Sequence, residues 1–110
     1  MTYKVVCHDT AYVVQLHSDR LDAQGSPALK LELKRLLETR SITVVVDFTR
    51  VRFVDSSGLG ALLAGVRAAS RSGGRLLVAG LCPNVQATFE LAHLDRIFDI
   101  FPTEREALAS

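Results

Sequence analysis

Apolar residues recur along this chain at two periods. Tyr3–Cys7, Ala11–Leu16, Thr43–Asp47 and Arg75–Ala79 are short runs rich in valine and leucine, and they read as strands, the last two buried. Between them the period lengthens. Leu29, Leu33, Leu36 and Leu37 form a helical stripe, with Lys30, Glu32, Lys34, Arg35 and Glu38 mostly on the other side. Leu59, Leu62, Leu63, Val66 and Ala69 mark a second helix from Ser57 to about Ser72, closed by Gly73-Gly74. Pro83 opens a third, which carries Val85, Phe89 and Leu91-Ala92 inward. Ile97–Phe101 reads as a final short strand or extended segment, and Thr103-Glu104-Arg105-Glu106 has the spacing of a capping box.

The polar breaks set the order. His8-Asp9-Thr10 is short enough for a hairpin, and His17–Asp22 is polar enough to be a loop. Ser26-Pro27 supplies an N-cap followed by proline at the first helical position, unless the helix begins nearer Asp22. The order β-β-α-β-α-β-α-(β)-α predicts one α/β domain over residues 1–110, with a mixed sheet of four to five strands and about four helices. Strands after the hairpin are joined through helices and run parallel through right-handed crossovers. In such sheets function gathers at the carboxyl ends of the strands.

Composition narrows the function classes. A chain of 110 residues has room for one core, and 48% hydrophobic with 23% charged residues is a globular balance. A net charge of +1 without a dense basic run argues against nucleic-acid binding. Met1-Thr2-Tyr3-Lys4 begins no signal-peptide core and no apolar segment is long enough to span a bilayer, so the expectation is an unanchored cytoplasmic protein. Cys7 reads as a small core residue and Cys82, before Pro83, as the more exposed one, a reduced pair. His8, His17 and His93 share no pattern, so no metal site is expected. No heptad or long exposed edge calls for a dimer, so the free chain is expected to be a monomer.

One stretch carries candidate chemistry, Phe53-Val54-Asp55-Ser56-Ser57-Gly58-Leu59-Gly60. It lies where a loop becomes a helix, so its hydroxyls stand among backbone N–H groups that lack helical partners and tolerate a phosphate. Gly58, Gly60, Ala61, Ala64 and Gly65 leave one side of the helix nearly bare, either for close approach of a partner or for tight internal packing. A catalytic serine is one reading, giving a small serine hydrolase, but the G-x-S-x-G elbow is absent and no histidine is placed as its base. A P-loop also fails, because no Lys-Ser or Lys-Thr follows Gly58-Leu59-Gly60. A purely structural reading needs only one of Asp55, Ser56 and Ser57 as helix cap.

Val44 to Gly60, through Asp47-Phe48-Thr49 and Asp55-Ser56-Ser57-Gly58-Leu59-Gly60, closely resembles the STAS domain, and more narrowly the bacterial anti-sigma factor antagonists. Leu21-Asp22, Gly73–Val78, Pro83-Asn84-Val85, Phe89-Glu90-Leu91 and Glu104–Leu108 extend the resemblance over nearly the whole chain. It implies that Ser56 accepts a phosphate, with Ser57 as adjoining cap or secondary contact. It implies a partner that is both anti-sigma factor and serine kinase, bound by the unphosphorylated form to free a sigma factor, and a metal-dependent phosphatase that resets the switch. The chain itself then needs no cofactor and is not an enzyme. Asp22, Asp55, Ser57, Gly58, Gly60 and Ala61 are the expected partner-binding residues. Asp22 also reads as a loop or cap residue and Asp47 as a strand-end turn former. Another role within the same fold is a subunit of a transporter or stress-signalling assembly. The chain departs from the family at Asp19 and His93, where glycine is usual, and in the step of Leu16-His17-Ser18.

Overall fold

Alternation within the apolar strands decides the architecture, because neighbouring valines point to opposite faces of one sheet. The computed structural model describes residues 2–9, 11–38 and 40–110. Met1 and Thr10 of the segments read above lie outside the described residues. The main sheet is built from β1 (Tyr3–His8), β2 (Ala11–Leu16), β4 (Thr43–Asp47), β6 (Arg75–Ala79) and β7 (Asp99–Phe101), ordered β1-β2-β4-β6-β7. β1 is antiparallel to β2, and every later pair is parallel. The helices α1 (Ser26–Leu37), α2 (Ser56–Ser72) and α3 (Pro83–Leu91) connect the parallel strands.

Val14, Val44, Val46 and Val78 face these helices in the larger core with Leu29, Leu33, Leu62, Val85 and Phe89. Val13, Val45, Leu77 and Ala79 face the other way, where α4 (Glu104–Leu108) covers them through Ala107. So Val44–Val46 of β4 and Leu76–Ala79 of β6 form unbroken apolar runs because both faces of the sheet are covered there. Phe48, Phe89 and Phe98 meet edge to face at centroid distances of 6.0 and 5.7 Å and close the α3 end of the core.

Several expectations are corrected. His17–Asp22 is not wholly loop: β3 (Arg20–Leu21) pairs in parallel with β5 (Phe53–Val54) in a separate two-stranded sheet. Buried Leu21 and Val54 hold this ribbon to the core, a contact that the polar local composition conceals. Ser26 is not the N-cap of α1. Gly25 holds that position, and the Ser26 hydroxyl donates to the Asp22 carbonyl at 2.5 Å. Glu32 turns inward to accept from the Tyr3 hydroxyl at 2.9 Å; burial, with Glu32 beside it, raises the Tyr3 pKa. Lys34 pairs with the C-cap residue Glu38 at 3.8 Å and Arg35 pairs with Glu32.

Cys7 is exposed, because it lies near the end of an edge strand, while Cys82 is half-buried. Leu91 and Ala92 point outward, since α3 ends there and Leu94 takes the next core position. The last strand begins at Asp99, after a 3-10 turn over Leu94–Arg96. As the sequence suggests, His93 adopts the left-handed turn at φ 60°, and Gly73 ends α2 at φ 77°. Thr103 caps α4 by accepting from the Glu106 N–H at 3.1 Å. Asp47 ends β4 by accepting from the Thr49 N–H at 2.9 Å and from the Thr49 hydroxyl at 2.5 Å. Its hydrogen bond to Glu104 raises the Glu104 pKa, as does burial, with Gln15 opposing by donating at 3.2 Å.

The small residues of α2 serve two ends. A Cβ on Gly58 would lie 2.8 Å from the Leu21 carbonyl oxygen and 2.9 Å from Val54 Cγ1, whereas one on Gly60 would meet nothing within 4 Å. Gly60→Ala is therefore expected to raise stability by about 1 kcal/mol through helix propensity, and Gly58→Ala to lower it, both read from urea midpoints. His93→Gly is expected to raise the thermal midpoint, since the left-handed conformation costs a residue bearing a Cβ about 1 kcal/mol.

Candidate functional site

The first turn of α2 is anchored by Asp55, whose extended backbone and carboxylate make it the N-cap. Asp55 Oδ1 accepts from the Ser57 N–H at 2.9 Å, the Gly58 N–H at 3.2 Å and the Ser57 hydroxyl at 2.5 Å. The Ser57 hydroxyl is the largest of the influences that lower the Asp55 pKa; partial burial opposes it, and backbone N–H groups, including that of Ala23, add to it. Asp55 is thus a carboxylate at neutral pH, and it already occupies helix donors that the sequence leaves open.

The two serines are thereby separated. Ser57 is half-buried and its single hydrogen is committed to Asp55. Its oxygen lies 3.3 Å from that of Ser26, whose own hydrogen goes to Asp22. Ser56 is the first helical residue and is exposed, and none of the side-chain hydrogen bonds among the described residues engages its hydroxyl.

The small parallel sheet brings the Asp22 loop to this turn. The Asp55 N–H donates to the Leu21 carbonyl at 3.2 Å, and the Arg52 and Phe53 N–H groups donate to the Asp19 carbonyl at 2.7 and 3.1 Å. Asp22 accepts at its carbonyl from the Gly25 and Ser26 N–H groups at 3.1 and 2.8 Å. Its carboxylate accepts from the Gln24 N–H at 3.1 Å and pairs with Arg20 at 3.5 Å. The starts of α1 and α2 are therefore neighbours, with the Ser26 and Ser57 hydroxyl oxygens 3.3 Å apart.

Of the residues expected to line an open contact face, Asp22, Asp55 and Ser57 are half-buried and Gly60 is exposed. Gly58 and Ala61 are buried, Gly58 against Leu21 and Val54, and are corrected to internal packing positions. Gly65 packs inward as well, where a Cβ would stand 2.9 Å from Leu76 and 3.0 Å from Leu33. The sequence reading missed Arg20 and Phe53. Arg20 stands opposite Phe53 in the small sheet and lies over its ring at 4.6 Å. Each strand of that sheet is only two residues long, too short for alternation in the sequence to mark either residue. Among the described residues there is no His, Cys, Asp and Glu cluster fit to hold a metal, and no helix long and apolar enough to cross a membrane.

Comparison with known proteins places these features in context. The family model of the STAS domain matches residues 2–107. An anti-sigma F factor antagonist of Paenibacillus polymyxa is 28% identical over 102 residues, covering 92% of this chain and 86% of that protein. An anti-sigma-B factor antagonist of Listeria monocytogenes is 26% identical over 98 residues, covering 89% and 86%. The crystal structure of an anti-sigma factor antagonist from Mycobacterium paratuberculosis superimposes with a TM-score of 0.85, covering 98% of this chain and 91% of that one at 29% identity.

Because the Asp55 pKa is lower folded than unfolded, its contribution to stability is present above the ordinary carboxylate pKa. That contribution is lost as pH falls through the lower folded value. Asp55→Asn keeps a capping oxygen and removes the charge. It is expected to lower the urea midpoint at neutral pH and to make the acid limb of stability against pH shallower than in the wild type.

Proposed function

The chain belongs to the STAS domain family, and from that premise we propose that it acts as an anti-sigma factor antagonist switched by phosphorylation of Ser56. The antagonist role rests on two relatives matched over 86% of their own length and on a solved antagonist of the same fold. The choice of serine rests on one observation: Ser56 is exposed at the start of α2, while the Ser57 hydroxyl is held by Asp55. In this reading the unphosphorylated chain binds an anti-sigma factor that is also a serine kinase and so frees a sigma factor. A metal-dependent phosphatase restores the hydroxyl. ATP belongs to the kinase, and this chain performs no catalysis. Asp22, Asp55, Ser57 and Gly60 form the partner-facing rim, with Gly58 and Ala61 supporting it from within.

The physics of release is charge exclusion. Phosphoserine carries about −1.5 to −2 charge at neutral pH. In the free chain that charge stands in water at a helix N-terminus, where it is tolerated. In a complex it is desolvated beside Asp55 and beside the acidic groups with which a kinase holds magnesium. A penalty of about 3 kcal/mol there weakens binding more than a hundredfold, each 1.4 kcal/mol being a factor of ten. No conformational change is required.

The test mixes the purified chain with a kinase-type anti-sigma factor from the same organism and ATP, then measures complex formation and locates phosphate by mass spectrometry. Wild type and Ser57→Ala are expected to be phosphorylated on Ser56. Ser56→Ala is expected to stay bound, and Ser56→Asp to bind at least about a hundredfold more weakly. Phosphate on Ser57, or tight binding by Ser56→Asp, overturns the mechanism. Stoichiometric labelling of Ser56 by a fluorophosphonate overturns the binding-module reading in favour of a hydrolase.

A further inference from the structure

Four large apolar side chains stand exposed among the described residues, Leu31, Phe53, Leu91 and Ile97, and only Phe53 belongs to the segment leading into Ser56. It is 39% exposed and lies directly across the β3–β5 ladder from Arg20. The guanidinium carbon of Arg20 sits 4.6 Å from the ring centroid, and Arg20 Nε is 3.5 Å from Asp22 Oδ2. The ring covers one face of the guanidinium and Asp22 engages its Nε edge. The terminal nitrogens are left to solvent, since the Arg20 side chain takes part in no other ion pair or side-chain hydrogen bond among the described residues.

This arrangement is preorganised. A free arginine loses much rotamer entropy when it docks, whereas one already stacked and tethered loses less. Two nitrogens in a fixed plane match the two oxygens of a carboxylate. The exposed part of the Phe53 ring offers an apolar contact beside them. Arginine and aromatic anchors of this kind carry a large share of the binding energy in protein interfaces. The patch is continuous with the Ser56 turn, because Phe53, Val54 and Asp55 lead straight into α2.

We propose that Arg20 and Phe53 form a docking anchor of this antagonist, and that Arg20 receives an aspartate or glutamate of the kinase-type anti-sigma factor while Phe53 packs against an adjacent apolar side chain. The inference rests on the function proposed above and names the chemistry of the partner surface. The anchor selects among partners: an anti-sigma factor with a basic residue at that place is repelled by Arg20, and one with a carboxylate is favoured.

The alternative is that the stacked pair only fastens the two short strands together. Stability separates the two roles. In the docking role, Arg20→Ala and Phe53→Ala keep thermal midpoints near wild type and lose at least about tenfold in affinity for the kinase-type anti-sigma factor, measured by calorimetry. Arg20→Lys keeps the charge without the planar fork and binds between wild type and Arg20→Ala. Arg20→Glu binds more weakly still, and reversing one acidic residue of the partner to lysine restores its affinity. Wild-type affinity in Arg20→Ala, or failure of every acidic-to-lysine partner variant to rescue Arg20→Glu, overturns the anchor and leaves the Ser56 switch standing. Absence of any complex with the wild-type chain overturns the switch and the anchor together.

Discussion

The Asp55 carboxylate is the interaction on which the site depends. One oxygen gathers two backbone N–H groups and a hydroxyl, and that single act starts α2, orders its first turn and immobilises Ser57. Because the cap is an aspartate, neither serine is needed for capping. Ser56 is left outside the network at the edge of the helix, and the difference between two adjacent serines follows from where one carboxylate points. The same carboxylate keeps a negative charge beside Ser56, which makes added phosphate costly wherever water is excluded.

A second constraint is the close approach of α2 to the β3–β5 ribbon. With no Cβ at Gly58, the helix start lies against the Leu21 carbonyl, and the Leu21-Asp22 loop is drawn to the serine turn. Gly65 and Ala61 continue the theme, letting α2 lie close to the core beneath it. Gly60 alone of these small residues near the turn looks into open space. The bare side of the helix therefore combines two roles, internal packing on one stripe and a low rim on the other.

The two sheet faces are unequal. Three helices cover one, and a five-residue helix covers the other, tied to the strand ends by the Asp47, Glu104 and Gln15 network. Among the described residues, the central strands are therefore covered on both faces. The chemistry is accordingly concentrated at the strand ends and helix starts, where backbone donors and the Asp22 and Asp55 carboxylates meet.

Much of this was legible in the sequence, because it depends on neighbours along the chain. Short valine- and leucine-rich runs set the strands, period-3.6 stripes set the helices, Gly73 marked the end of α2, and Thr103 marked a cap. The Asp55-Ser56-Ser57-Gly58 turn marked the candidate site, and its resemblance marked the family. What local pattern could not decide depends on contacts between distant segments. The ribbon joining Arg20-Leu21 to Phe53-Val54 has too few residues in each strand to leave a periodic trace. The inward turn of Glu32 needs Tyr3, and the exposure of Cys7 and Leu91 needs an edge and a helix end. Which small residues of α2 are packed and which are open depends on what lies against each face of a helix whose sequence is small on both. The stacking of Arg20 on Phe53 arises only when the fold lays two remote strands side by side, since a cation and a ring recognise each other through space and not through spacing.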